Sequence, residues 1–165
     1  MPVRNYDPRQ GQAFQGDVAI IPIPEDITIA TNEEILPLEG RLVIQAGERS
    51  GHHHAIDLFE RAALYRDDGL ARSLSSKAAA RRTRGRPKAP RPAAHFYRDI
   101  AVAYQMMIRE LLSRCDLAIG CLVIEGGAVV VRHQEHDGIR IPPGKYIVGR
   151  QIEASLLGNP PTVGD

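Results

Sequence analysis

The stretch LAIGCLVIEGGAVVVRHQEHDGIRIPPGKYIVGRQIE, residues 117–153, decides how this chain is read. Leu117 to Ile124 and Ala128 to His133 are short, apolar, β-branched runs. Gly126-Gly127 between them is the turn chemistry of a β-hairpin. Asp137 to Glu153 supplies another expected hairpin, turning at Pro142-Pro143-Gly144. Toward the N-terminus the same texture recurs. Asp17 to Ile23 is an apolar strand ended by Pro24, and Gly40 precedes a second strand, Arg41 to Gln45. HHHAIDLF (52–59) is a third candidate and AALYR (62–66) a fourth, closed by a turn at Asp67-Asp68-Gly69. About six to eight short strands with Gly/Pro turns predict a mainly β fold, a small antiparallel barrel or sandwich.

One segment breaks the pattern. Arg72, Lys77, Arg81, Arg82, Arg84, Arg86, Lys88 and Arg91 are eight of the 21 basic residues, and no acid lies between 72 and 92. The remaining 13 basic residues face 20 acids, so an overall charge of +1 conceals an acidic body of −7 carrying a basic segment. With three prolines and few large apolar residues, this segment cannot bury enough surface to order itself and is expected to be a loop. From about Ala94 to Arg114, Phe96, Ile100, Tyr104, Met107, Ile108 and Leu111 recur at helical spacing. That stripe suits packing on the body, or on a second copy of the chain. The expected organisation is an extended arm (1–16), one β domain (17–70 plus 116–153), an inserted basic loop and amphipathic helix (71–115), and a loose tail (154–165).

A chain of 165 residues with 43% apolar content suits one globular domain. Low aromatic content, with no tryptophan, argues against a large aromatic-lined pocket. Cys115 and Cys121, without a CxxC pair, read as reduced thiols. The polar start MPVRNYDPRQ lacks a signal-peptide core, and no apolar run approaches the roughly 18 residues of a membrane span. A cytoplasmic location and no membrane partner are expected.

Five of the six histidines fall in two clusters: His52, His53 and His54 in GHHHAI, and His133 and His136 in RHQEHDGI. Imidazole is the commonest metal ligand. On a strand, His52 and His54 project together and His53 opposite; a turn after His133 would bring His136 back to the same side. Four nitrogens from two such pairs match a closed Zn²⁺ site. Three nitrogens with a carboxylate, Glu135 or Asp137, suit an open Zn²⁺ or Fe²⁺ site, with Mn²⁺ as a further alternative. The candidate ligands are His52, His54, His133, His136 and Glu135. A hydrogen-bonded histidine cluster is the competing expectation. Ser50 neighbours His52 only in sequence and no GxSxG elbow exists, so a nucleophilic triad is not indicated.

QGDV (15–18), GHHHAI, LYRDDG (64–69) and HQEHDGIRIPPGKYIVGRQIE together resemble a group of small, functionally uncharacterised bacterial proteins with a GDV…GHxH…HxEHxxIxLPxGxYxVxRQxE pattern. The resemblance spans about two thirds of the chain. It implies a compact β domain without an established activity, and picks out Gly51, His52, His54, His133, Glu135, His136, Ile139, Gly144, Tyr146, Arg150, Gln151 and Glu153. Residues 72–115 depart from it.

RTRGRPKAPRP contains the core of an AT-hook in Arg84, Gly85, Arg86, Pro87 and Lys88. Glycine lets the backbone lie in a narrow minor groove while the arginines reach along its floor, which A·T tracts make more negative. Three expectations follow. The first is a small β protein whose histidine clusters form one divalent-metal site, with a binding or structural role rather than catalysis. The second is a DNA-associated accessory protein acting through the RGRP segment. The third is a homo-oligomer assembling through helix 94–114 or edge strands.

Overall fold

The computed structural model describes residues 2–46, 51–58 and 91–151. Its strands are β1 (Val3–Asn5), β2 (Ala13–Gln15), β3 (Val18–Pro22), β4 (Glu34–Ile35), β5 (Arg41–Ala46), β6 (His53–Asp57), β7 (Ala93–Tyr97), β8 (Ala118–Glu125), β9 (Val129–Arg132), β10 (Gly138–Ile141) and β11 (Gly144–Arg150). They form a five-stranded sheet, β1-β10-β9-β6-β5, and a six-stranded sheet, β2-β3-β11-β8-β7-β4. Val18, Ile20, Phe96, Leu122, Tyr146 and Val148 of the larger sheet meet Leu42, Ile44, Ile56, Val131, Ile139 and Ile141 of the smaller in one buried cluster. The expected mainly β fold is therefore a two-sheet sandwich rather than a closed barrel.

Period-2 alternation places the side chains. In β9, Val129 and Val131 point into the core and the next inward position is His133, which is also buried. In β6, Ile56 and His54 share the inner face. A bulge in β5 between Val43 and Gln45 sets Gln45 opposite His54.

Four expectations need correction. Gly126-Gly127 and Pro142-Pro143-Gly144 are not hairpin turns. β8 pairs β11 and β7, while β9 pairs β10 and β6, so at both points the chain crosses between sheets. The hairpin is β9–β10, and its loop is His133 to Asp137. At the second crossing Tyr146 donates to Pro142 O at 2.9 Å, bracing the corner, and burial pushes its hydroxyl up to about 12.

Within the N-terminal segment, expected to be an extended arm, β1 and β2 are edge strands of the two sheets, and β1 pairs β10 in parallel. Residues 93–97 are strand, with β7 lying between β8 and β4, so this part of the expected insert belongs to the β body. The fourth strand expected at 62–66, its turn, the basic segment to residue 90 with Arg84, Gly85, Arg86, Pro87 and Lys88, and the tail lie outside the described residues.

The helix, α1 (Ile100–Ile108), is shorter than 94–114 and turned the other way. Asp99 caps it, accepting from Ala101 N at 3.0 Å while its other oxygen accepts from Ala30 N at 2.8 Å. At the C-terminus Leu111 N donates to Met106 O and Glu110 N to Met107 O, with Glu110 at φ 58, a Schellman ending. Val102, Ala103 and Met106 pack on Cys121 and Ile147 of the outer face of the larger sheet and on Ile23 and Ile27, which follow β3. Phe96 serves the sandwich core, whereas Ile100, Tyr104, Ile108 and Leu111 remain exposed. The small Ala103 permits close approach to the sheet, and this turns the larger stripe outward. Among the described residues no helix is long and apolar enough to cross a membrane.

Candidate functional site

The antiparallel register Ala55↔Arg132 places the two histidine clusters side by side at one end of the smaller sheet. One step beyond that pair, the rings of His54 and His133 stack with centroids 4.3 Å apart. The β9–β10 loop then returns His136 onto the other face of His133 at 4.6 Å, and His52 meets the edge of His133 at 5.8 Å. Glu135, on the same loop, stands with Oε2 3.5 Å from His52 Nδ1. The five residues singled out as ligands are thus neighbours. His53 projects the other way, against Arg41 Nη1 at 2.9 Å, and Gln134 Oε1 accepts from its backbone N–H at 2.9 Å.

The larger sheet contributes residues for which the sequence suggested no role. Gln15 ends β2, and Gly16-Asp17 make the two-residue turn into β3, with Gly16 at φ 57 as a type II′ hairpin requires at its first turn position. Gln15 Nε2 donates to Val131 O at 3.2 Å and to Asp137 O at 2.7 Å. Its amide orientation is thereby fixed, and Oε1 faces His54 Nδ1 at 2.9 Å. Nδ1 must then carry a hydrogen. His54 Nε2 lies 2.9 Å from Asp17 Oδ1, with the histidine side chain 1% and the aspartate 11% exposed. The amide oxygen and the carboxylate thus hold both ring nitrogens of His54. His133 Nδ1 accepts from Glu135 N at 3.1 Å, which places its own hydrogen on Nε2 in the neutral ring.

In front of this network lies a cleft of about 370 Å³ lined by Arg4, Gln15, Gly16, Glu135, His136 and Asp137. Arg4 is held by a hydrogen bond to Phe14 O. The Gly16 backbone touches the His136 ring so closely that a Cβ there would stand 2.5 Å from Nε2. The signal that could have found Gln15 and Asp17 is the QGDV element, a polar turn between two apolar strands.

The histidines divide into two layers. His54 has both nitrogens in hydrogen bonds within the protein, and His133 uses Nδ1 internally. His54 ties the smaller sheet to the β2–β3 turn of the larger, and the His133 ring stacks against it. His52, His136 and Glu135 form the outer layer. A metal lies in the plane of each imidazole that binds it, whereas stacked rings direct their lone pairs side by side. Accordingly, among the described residues no three His, Cys, Asp or Glu side chains are arranged around one ion position. Neither protein-family models, nor curated proteins, nor solved structures give a match to this chain.

Proposed function

We propose that this chain is a binding protein whose site is the histidine cleft and whose ligand is a divalent transition-metal ion. Zinc comes first, with iron and manganese as alternatives. The supporting observation is the outer layer, with His52 and Glu135 from separate loops 3.5 Å apart and His136 beside the same His133 ring. Imidazole with carboxylate suits zinc, copper and iron better than magnesium or calcium. Binding turns His52 and His136 out of their ring contacts, each worth about 0.5–1.5 kcal/mol, a handicap of about 2- to 12-fold in affinity per contact. A reversible site results. The inner Gln15–His54–Asp17 chain fixes His133 and serves as its scaffold.

The test is equilibrium dialysis of tag-free protein against Zn²⁺. One equivalent is expected, lost in His52→Ala and His136→Ala and retained in His95→Ala, whose histidine lies on β7. Absence of stoichiometric binding, or equal loss in all three variants, would overturn the metal reading. The histidine cluster would then be a structural clamp, the reading that the doubly bonded His54 favours.

A further inference from the structure

We propose that the cleft takes a small monocarboxylate together with the metal ion, with Arg4 as its receptor; this rests on the metal reading above and adds the second ligand. A metal ion alone fills little of a cleft of about 370 Å³. That volume is near the lower end of small-molecule sites, which run from about 300 to 1,000 Å³. His136 and Glu135 line one part of it, and Arg4, Gln15, Gly16 and Asp137 line the rest. His52, His136 and Glu135 are three donors, and a zinc site with three protein ligands keeps its next position open to a further ligand.

The fold fixes a cation in the wall of that cleft. β1 runs parallel to β10, with Val3 beside Gly138 and Arg4 beside Ile139, and Gly138 N donates to Pro2 O at 3.0 Å. Arg4 therefore stands beside the strand that leaves the His133–Asp137 loop. Its guanidinium reaches the edge strand of the other sheet and donates to Phe14 O. That bond uses one N–H of a group that has several. Other arginines hold aspartates: Arg9 with Asp7, Arg41 with Asp57, Arg109 with Asp26 and Arg114 with Asp116. Among the described residues no carboxylate pairs with Arg4, although Glu135 and Asp137 line the same cleft, and Glu135 stands at His52 instead. A tethered guanidinium with donors to spare suits a carboxylate carried by a ligand, which its planar fork matches.

Charge selects the ligand and the order of binding. Arg4 opposes Glu135 and Asp137, so the side chains of the cleft carry −1 with His136 neutral, and a divalent ion brings the total to +1. The side chains alone repel an anion. With the metal bound, one negative charge neutralises the cleft, and a monocarboxylate shared between the metal and Arg4 supplies it. Binding is ordered, metal first. By linkage, the carboxylate tightens the metal by the same factor as the metal tightens the carboxylate.

Zinc titrations of the tag-free full chain, with free Zn²⁺ held by a metal buffer, test this with lactate as the probe. Saturating lactate should tighten zinc by about 5- to 20-fold, and sulfate should not. Arg4→Gln should lose the lactate effect while binding zinc alone about 2- to 3-fold more tightly, since a positive charge leaves the cleft. A merely structural Arg4 would weaken zinc binding in that variant instead. Arg4→Lys, which keeps the charge without the fork, should retain part of the lactate effect. Zinc binding indifferent to lactate overturns the proposal and leaves the metal reading standing, whereas no zinc binding overturns both. Equal tightening by sulfate overturns the choice of a monocarboxylate. A lactate effect that survives in full in Arg4→Gln overturns Arg4 as its receptor.

Discussion

Replacing Gly16 by alanine tests whether the turn between β2 and β3 and the histidine stack form one structure. At φ 57 an alanine takes on left-handed strain of about 1–2 kcal/mol. Its Cβ would also lie 2.5 Å from His136 Nε2 and 2.6 Å from Cδ2. The ring has to leave, and its 4.6 Å stack on His133, worth about 0.5–1.5 kcal/mol, goes with it. The combined cost is about 2–3 kcal/mol. With a urea slope of about 1–3 kcal/mol per molar, the midpoint should fall by roughly 1 M. Gly51→Ala is the control: its φ of 68 imposes similar backbone strain, but nothing stands within 4 Å of the new Cβ. The two variants should therefore differ by the ring contribution, and only Gly16→Ala should move the His136 ring resonances in NMR spectra. Equal destabilisation of the two, with unmoved His136 resonances, would refute the argument that Gly16 seats that ring.

Three further outcomes follow from local geometry. Asp99→Ala removes both the helix cap and the anchor of Ala30 N, and should cost about 1–2 kcal/mol in chemical denaturation. Glu39 and Gly40, at φ 49 and 78, form the type I′ turn joining Leu38 to Arg41; Glu39→Asn should stabilise the fold by about 0.5–1 kcal/mol, read as a higher urea midpoint. Burial pushes the Cys121 thiol up to about 12, so folded protein should label at the partly exposed Cys115 and not at Cys121 with a thiol reagent. The sign of the linkage follows from the same shift. The folded thiol holds its proton above pH 9 where the unfolded one releases it, so this group lowers stability as pH rises from about 9 to 12.

Much of the strand content was legible because period-2 alternation is a local signal. Val129, Val131 and His133 already mark one inward face, and Asp17 to Ile23 gives β3 nearly to the residue. Pairing partners were not legible. A glycine pair between two apolar runs serves equally well as a tight hairpin or as an arch between facing sheets, because both runs present alternate residues to the same core. The boundary at Tyr97 was lost for a related reason. Phe96 happens to fall four residues before Ile100, so a core strand residue extended an apparent helical stripe. In the site, clustering and spacing were enough to find His52, His54, His133, His136 and Glu135. Gln15 and Asp17 carried no local signal of a buried role, and only the opposite sheet supplies the imidazole that lets them be buried. Which nitrogens remain available for a ligand depends on those partners, so spacing could not separate the inner histidines from the outer ones.

The outer histidines, His52 and His136, are proposed to take a metal ion with Glu135 at the cleft. The most direct measurement is an anomalous difference map, collected on either side of the zinc absorption edge, from crystals of tag-free protein grown with Zn²⁺. A single strong peak is expected about 2.0–2.1 Å from a nitrogen of His136 and one of His52, with Glu135 turned toward it and the His54–Asp17 contact kept. A cleft without a peak, or a peak only at the exposed His95–Glu34 pair, would contradict it.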